Sequence, residues 1–464
     1  MAMYPGVHIF ENTRLSLASD GMSGLRPLLV GRFFNLDGTE RSLAAGVLNV
    51  DSWLSFSEAC LASSLFIVVD ETGSSIIGTE PPDDNLEHLV AAESSPKTRA
   101  KKSQLTDKNF NSGVFALRHY FDNGGGPCLL LSYGADDELT DIVTALAEYD
   151  EISLLALIDA EAGDINAINT ELDKVITNNQ QAFLITRHAS AATPTPVRGS
   201  NAARTATYTP DLTTSYDYAL DDSGILIQRE SSYGSSPISL AELRNSPLPA
   251  DKVVADTVDR ALAEVVLPPE AQVPVILSPC AAVAGAYCRS ERQVGIWKAP
   301  ANIPLVGAVP EVLVEEQQHG ELNEVGINVI TWHPRAGTSI MGARTLEDIN
   351  KTAWRYVPVR LLFNTVERDL RSMMTPVIFE PNSLATWQQV RSGIESYLYD
   401  LWKKGGLYGT SPEQAYVVNI GPETMSEADI ENGVLRARIG LAALRPAEFI
   451  FLEFTQDVHN LALK

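Results

Sequence analysis

FEPNSLATWQQVRSGIESYLYDLWKKGGLYG, residues 379–409, carries both ends of a helix in its own letters. Glu380-Pro381-Asn382-Ser383 opens it. Leu384, Trp387, Val390, Ile394, Leu398 and Leu401 then recur at three- and four-residue steps, which lays one apolar stripe along a 3.6-residue helix. Lys403 and Lys404 fall in the last turn, where cations complement the helix dipole, and Gly405-Gly406 stops it. Downstream, Ser411 to Val418 reads as a turn into a strand. Ser426 and Asp429 have capping-box spacing, with Gly433 able to end that short helix. Leu435, Ala437, Ile439 and Leu441 alternate with Arg436 and Arg438, the pattern of a half-buried strand.

The outermost elements are the least self-sufficient. In Glu448-Phe449-Ile450-Phe451-Leu452-Glu453-Phe454, Phe449 and Phe451 take one face of a strand while Ile450, Leu452 and Phe454 take the other. Such a strand needs cover on both sides. At the opposite end, Tyr4-Pro5-Gly6-Val7-His8-Ile9-Phe10-Glu11 is a short extended run behind a Pro-Gly turn, too short to be stable alone. Two terminal strands with unpaired backbone groups are suited to addition onto a neighbouring subunit, and Val7, Ile9, Phe10, Phe449, Ile450, Phe451, Leu452 and Phe454 are the expected contacts.

Taken in order, GARTL (342–346), WRYVPVRLLF (354–363), the helix at 379–409, DIENGVL (429–435) and RPAEFIF (445–451) resemble the C-terminal domain of contractile tail sheath proteins. These belong to contractile phage tails, tail-like bacteriocins and phage-like injection particles. The resemblance extends to YPGVHIFE (4–11), LRHYFDNGGGPCLLLSYG (117–134), AVAGAYCRSERQVGIWKAPANIPLVGAV (282–309) and GINVITWHPRAGTSIMGARTL (326–346). Residues 36–110 and about 189–250 match none of these motifs.

The implied fold class is mixed α/β and multidomain. It divides into an N-terminal arm (1–20), a layered α/β middle region (21–345) with outer surface insertions at 36–110 and 189–250, an α+β C-terminal sheath domain (346–444) and a C-terminal arm (445–464). The implied function is structural: subunits in hexameric rings or a helical stack surround an inner tube in a metastable extended state, then contract to drive the tube into a target cell. Implied partners are other copies of the chain, the inner tube, baseplate and terminal cap proteins, and sheath paralogues; Lys403 and Lys404 are the candidates to face the tube. The alternatives are a non-contracting baseplate or terminal-ring paralogue, or an α/β enzyme whose site the sequence does not reveal.

The middle region reads independently as α/β. Phe115 to Phe121 is helical, Asn123 to Pro127 a tight turn, and Cys128-Leu129-Leu130-Leu131 a buried strand. Ile152 to Ile158 and Ala182 to Ile185 are further core strands around a helical Ile165–Ile176, the rhythm of a layered sheet. A second strand–helix alternation runs through Val253–Val265 and Val273–Leu277. The Thr-, Ala-, Ser- and Pro-rich passage from Ala189 to Thr214 is expected as a surface loop, as is 71–110 with its run of charges.

Composition narrows the function classes. Among 464 residues the formal net charge is −24, the opposite of what phosphate neutralisation requires, so no nucleic acid is expected as partner. No apolar run approaches the ~18 residues of a spanning helix and no leader pattern opens the chain, so neither direct membrane insertion nor signal-dependent export is expected. The expected setting is cytoplasmic synthesis and assembly into a virion or a released extracellular particle.

Chemical motifs are sparse. Gly124-Gly125-Gly126 precedes a strand and lacks the Lys-Ser/Thr of a phosphate loop, so it reads as a turn. Cys60, Cys128, Cys280 and Cys288 lack the spacing of a zinc site and read as reduced core thiols. Glu315-Glu316 with His319 reads as a solvated helix face. Trp297, Trp332, Trp354, Trp387 and Trp402 read as core or subunit contacts. No catalytic residue, cofactor or metal is expected.

Overall fold

The computed structural model describes residues 24–36, 39–60, 65–70, 76–78, 112–216, 222, 225–229, 237–264 and 275–448. In chain order these form β1 (Pro27–Gly31), β2 (Leu48–Val50), α1 (Trp53–Ala59), β3 (Leu65–Val69), β4 (Ile76–Gly78), α2 (Ser112–Asp122), β5 (Cys128–Ser132), α3 (Asp141–Ala145), β6 (Leu154–Leu157), α4 (Ile165–Asn178), β7 (Phe183–Arg187), β8 (Thr205–Thr209) and β9 (Leu212–Thr214). There follow β10 (Ile225–Arg229), β11 (Ile238–Ser239), α5 (Leu240–Asn245), α6 (Pro249–Glu264), β12 (Ile276–Leu277), α7 (Cys280–Gln293), β13 (Ile303–Pro304), β14 (Ala308–Pro310), α8 (Glu316–Glu324), β15 (Ile327–His333) and β16 (Gly337–Ile340). The last group is α9 (Val357–Met374), α10 (Leu384–Lys403), α11 (Pro412–Ala415), β17 (Tyr416–Ile420), α12 (Glu427–Glu431) and β18 (Ala437–Leu441).

A nine-stranded sheet, β13-β16-β15-β8-β7-β6-β1-β5-β2, organises the molecule. From β5 to β15 the pairing is parallel, with antiparallel strands at both edges. The apolar strand runs make this possible. Leu28 and Val30 of β1 point into one buried cluster, with Ile142 of α3 and Ile168 and Leu172 of α4, while Leu29 points into another, with Leu117 of α2 and Val283 of α7. Parallel strands covered on both faces have this near-continuous hydrophobic character. β5, β1, β6, β7 and β8 take the spatial order 2-1-3-4-5 of a doubly wound sheet, whose strand order reverses at β1 and β6, which are themselves parallel.

Helices α2 and α7 lie against each other on one side of this sheet. The small residues of α7, Ala281, Ala282, Ala284, Gly285 and Ala286, are all buried and permit the close approach. At Gly285 a Cβ would meet the Tyr120 backbone oxygen at 2.4 Å, so only glycine fits. The Gly124–Gly126 turn is held by the same tyrosine, whose hydroxyl donates to the Gly126 carbonyl at 3.0 Å.

Two expectations from composition are corrected here. Ala189–Thr214 is not all loop: Thr205–Thr209 is a fully buried strand in the middle of the sheet, because Thr-Ala-Thr-Tyr-Thr alternates β-branched and aromatic groups that suit a pleated surface. Nor is 36–110 wholly an addition to the fold. β2 pairs with β5, and Val50, Phe56 and Cys60 are fully buried in the main core.

The remaining described parts of the two unmatched regions meet each other. β3 pairs in parallel with β10, β4 and β11 flank them, and α5 and α6 cover the sheet around Ile67, Ile225, Leu240, Leu243, Val254 and Val258. Pieces about 160 residues apart in sequence thus make one small α/β unit with its own core. The expected helix at 253–265 is α6, which begins earlier, at Pro249; Val265 and Val273 lie outside the described residues. Most of 71–110 does too.

Candidate functional site

The C-terminal elements build outward from α9, whose buried face includes Leu361, Leu362, Val366 and Leu370. Its entry is set by the WRYVPVRLLF run: Tyr356 caps it, Pro358 lies in the first turn, and the guanidinium of Arg360 stacks 4.2 Å over the Trp354 ring while donating to Asn364 at 2.6 Å. α10 follows as expected from its sequence, with Trp387, Val390, Ile394, Leu398 and Leu401 buried. Leu384, counted in the same stripe, is instead exposed in the first turn. The buried Tyr397 hydroxyl donates to Asp369 at 2.7 Å and ties α10 to α9.

Upon α10 sits an antiparallel pair, β17 and β18, in register from Tyr416↔Leu441 to Ile420↔Ala437. Val418 and Ile420 are buried, whereas Val417 points out and is half exposed. The Ser426–Asp429 capping box expected from spacing is present, and Arg436 adds a 2.9 Å ion pair to Asp429. Together with backbone and hydroxyl donation from Ser426, that pair holds the Asp429 carboxyl well below the usual range, with Arg436 the largest influence. No third strand flanks β17 or β18 among the described residues. Two strands alone are marginal, and each leaves a row of backbone donors and acceptors facing outward.

Around this sheet the surface is rich in exposed apolar groups: Tyr408, Val417, Ile378 and Phe379. Phe379, at the turn into α10, is fully exposed and has φ 73°, a left-handed conformation unfavourable for a bulky residue. Lys403 and Lys404 are exposed at the far end of α10 and form no ion pair among the described residues. Val7, Ile9, Phe10, Phe449, Ile450, Phe451, Leu452 and Phe454 lie outside the described residues. Residues 444–448 bring the chain back to the central sheet, where the Glu448 carboxylate meets Arg344.

At the carboxyl ends of β1, β6 and β7 the sheet has the crevice in which doubly wound proteins hold ligands. Here its polar groups bond to one another. Ser112, at the start of α2, donates to Asp159 at 2.6 Å, Arg32 donates to Glu161 at 2.8 Å, and Arg187 forms a two-pronged pair with Asp211. Burial raises the Asp211 carboxyl above its ordinary range, opposed by Arg187. The Ser112 hydroxyl at the start of α2 is thus turned to a carboxylate of the protein itself.

His319, in the half-buried part of α8, is bonded to the Met341 carbonyl at 3.2 Å and held below the ordinary histidine range by burial. No group of three or more His, Cys, Asp or Glu side chains gathers into a metal-binding cluster among the described residues. The four thiols are buried and unpaired. Trp387 is core and Trp332 is exposed at the end of β15.

Residues 350–457 match the phage tail sheath C-terminal domain, and the whole chain superimposes on solved sheath structures. The C-terminal part of the chain is thus a match to the tail sheath domain, and the chain as a whole is similar to sheath and baseplate chains of contractile injection systems. The chain is 28% identical to a chain of the anti-feeding prophage helical sheath in its contracted state, covering 98% of this chain and 100% of that one, at a TM-score of 0.65. It is 27% identical to a chain of the contracted sheath complex of PVC, an extracellular contractile injection system, with 99% of each chain covered and a TM-score of 0.64. It is 29% identical to a chain in the six-fold symmetrised baseplate of the anti-feeding prophage, covering 99% and 100%, again at 0.64. No curated protein matches this chain. The domain matched by residues 350–457 is that of structural tail sheath proteins.

Proposed function

We propose that this chain is a sheath subunit that assembles with copies of itself around an inner tube in an extended lattice that later contracts, driving the tube into a target cell. The carrying observation is the β17–β18 pair, a two-stranded sheet with open edges on a rigid helical support. The apolar strand at 449–454 and the run at 4–11 have the length and patterning to extend such a sheet in a neighbouring subunit. Backbone hydrogen bonds then join subunits while the segments leading to the arms absorb rotation and sliding. The domain boundaries at 20, 345 and 444 follow from this division between arms, middle region and C-terminal domain. Exposed Lys403 and Lys404 are placed to meet an acidic tube surface. Baseplate and cap proteins close the two ends, and the finished particle is phage-like, assembled in the cytoplasm and released.

A place at the baseplate end of such a sheath is the second reading, supported by the likeness to a baseplate chain. Negative-stain microscopy of the protein co-expressed with its tube separates the two: long striated tubes support a main sheath role, isolated rings the baseplate role. Removal of residues 449–464 is expected to leave a soluble folded subunit that forms no tubes. Normal tubes from that truncated chain would refute strand exchange.

A further inference from the structure

Arg344 and Glu448 are 104 residues apart in sequence and meet through two hydrogen bonds, Nε to Oε1 at 2.8 Å and Nη2 to Oε2 at 2.6 Å. Arg344 is almost wholly buried, and its third donor, Nη1, goes to the Asn323 carbonyl at 2.8 Å. The Tyr356 hydroxyl adds a further bond to Glu448 at 3.2 Å. The arginine end of this contact stands on firm elements. The Arg344 backbone is clamped by Asn328 of β15, which accepts from the Arg344 amide at 2.7 Å and donates to its carbonyl at 2.8 Å. The same Asn328 amide donates to Thr207 of β8, so Arg344 is anchored across two neighbouring strands of the central sheet.

Glu448 occupies a distinctive position in the chain. After β18 the backbone still pairs through Ala442 and Ala443, with Tyr408 donating to Ala442 at 2.7 Å. Between Leu444 and Glu448, every hydrogen bond among the described residues is made by the Glu448 side chain. The next residue is Phe449, the first of the two-faced apolar run.

We propose that Arg344 and Glu448 form a clasp that fixes the root of the C-terminal arm to the central sheet and so sets the point and direction from which the arm reaches a neighbouring subunit. The inference rests on the strand-exchange reading and adds a specific positioning pair to it. A strand held only by backbone pairing in a neighbour transmits force through its own root. With the clasp closed, tension on residues 449 onward passes through Glu448 and Arg344 into β15 and β8 rather than peeling 442–448 from the β17–β18 sheet. A bidentate carboxylate–guanidinium pair with the guanidinium buried suits this task, because separating it strands the arginine charge away from water.

The test uses the full chain with Glu448→Ala and Glu448→Gln, alongside wild type and the chain lacking 449–464. Circular dichroism and melting report the fold of the unassembled subunit. Sedimentation and negative-stain microscopy give the concentration needed for tube formation, and limited proteolysis gives the rate of cleavage at 442–448. The clasp predicts that Glu448→Ala, though it melts lower than wild type, keeps the wild-type circular dichroism spectrum at the assembly temperature, requires at least a tenfold higher concentration to form tubes, and is cut at least tenfold faster within 442–448, with Glu448→Gln intermediate. Tubes at the wild-type concentration from a Glu448→Ala chain that folds normally overturn the clasp. If Glu448→Ala does not fold, Glu448→Gln decides by the same two ratios, and wild-type values there overturn it. Normal tubes from the chain lacking 449–464 overturn the strand-exchange reading instead.

Discussion

Gly285→Ala sets two opposing energies against each other within α7. Alanine is the better helix former, so in an open helix the change would stabilise by about 1 kcal/mol. At Gly285 the added Cβ lies 2.4 Å from the Tyr120 backbone oxygen and 3.3 Å from both the Asn123 Cβ and the Gly125 nitrogen. That oxygen is no free side-chain end: it accepts the Gly125 amide at 2.9 Å and belongs to the last turn of α2. Restoring ordinary contact requires α2 and α7 to part by about 1 Å, in an interior too closely packed to yield without cost. Overpacking of this kind costs about 1–3 kcal/mol, or more where backbone must move. The clash therefore wins, and we expect net destabilisation of about 1–2 kcal/mol, a fall of roughly 1–2 °C in the melting temperature of a 464-residue chain. Gly320→Ala is the control. Gly320 lies inside α8 with nothing within 4 Å of the added Cβ, and there the same substitution should raise stability by up to about 1 kcal/mol. Thermal melts of the unassembled subunit, followed by circular dichroism, measure both. Equal stabilisation by the two alanines would refute the tight α2–α7 approach.

Burial raises the Cys288 thiol to about 11 and that of Cys280 to about 12, so both stay neutral in the fold when an unfolded chain's thiols ionise near 9. Their contribution to stability is complete below pH 9 and is lost as pH rises from there towards 11–12, so urea midpoints should fall over that window in wild type and fall less in Cys288→Ala; an identical pH profile in the two would contradict it. Assembled particles should be cut by protease first within 71–110 or the exposed stretch 192–200, sparing Leu384–Leu441. Early cuts in α10 with those stretches protected would reverse the radial order of outer insertions and inner C-terminal domain.

Local signals made much of this protein legible before any tertiary contact was known. α10 is set by its spaced apolar residues and the Gly405–Gly406 stop, α12 by the Ser426–Asp429 box, and β5, β6 and β7 by continuous apolar runs, because each of these preferences acts over a few residues. The order of family-like motifs was also present in the sequence alone. What lay beyond it depended on partners far along the chain. Thr205–Thr209 has residues that suit a strand but sits in a passage of loop-like composition, and its place in the core is set by β7 and β15 on either side. The two unmatched regions are mute separately, and only the pairing of β3 with β10 makes them one unit. Arg344 and Glu448 each look like ordinary surface charges. Their burial and bidentate geometry exist only because folding brings the end of the C-terminal domain back to β15 and β8, a long-range closure that no short window of sequence encodes.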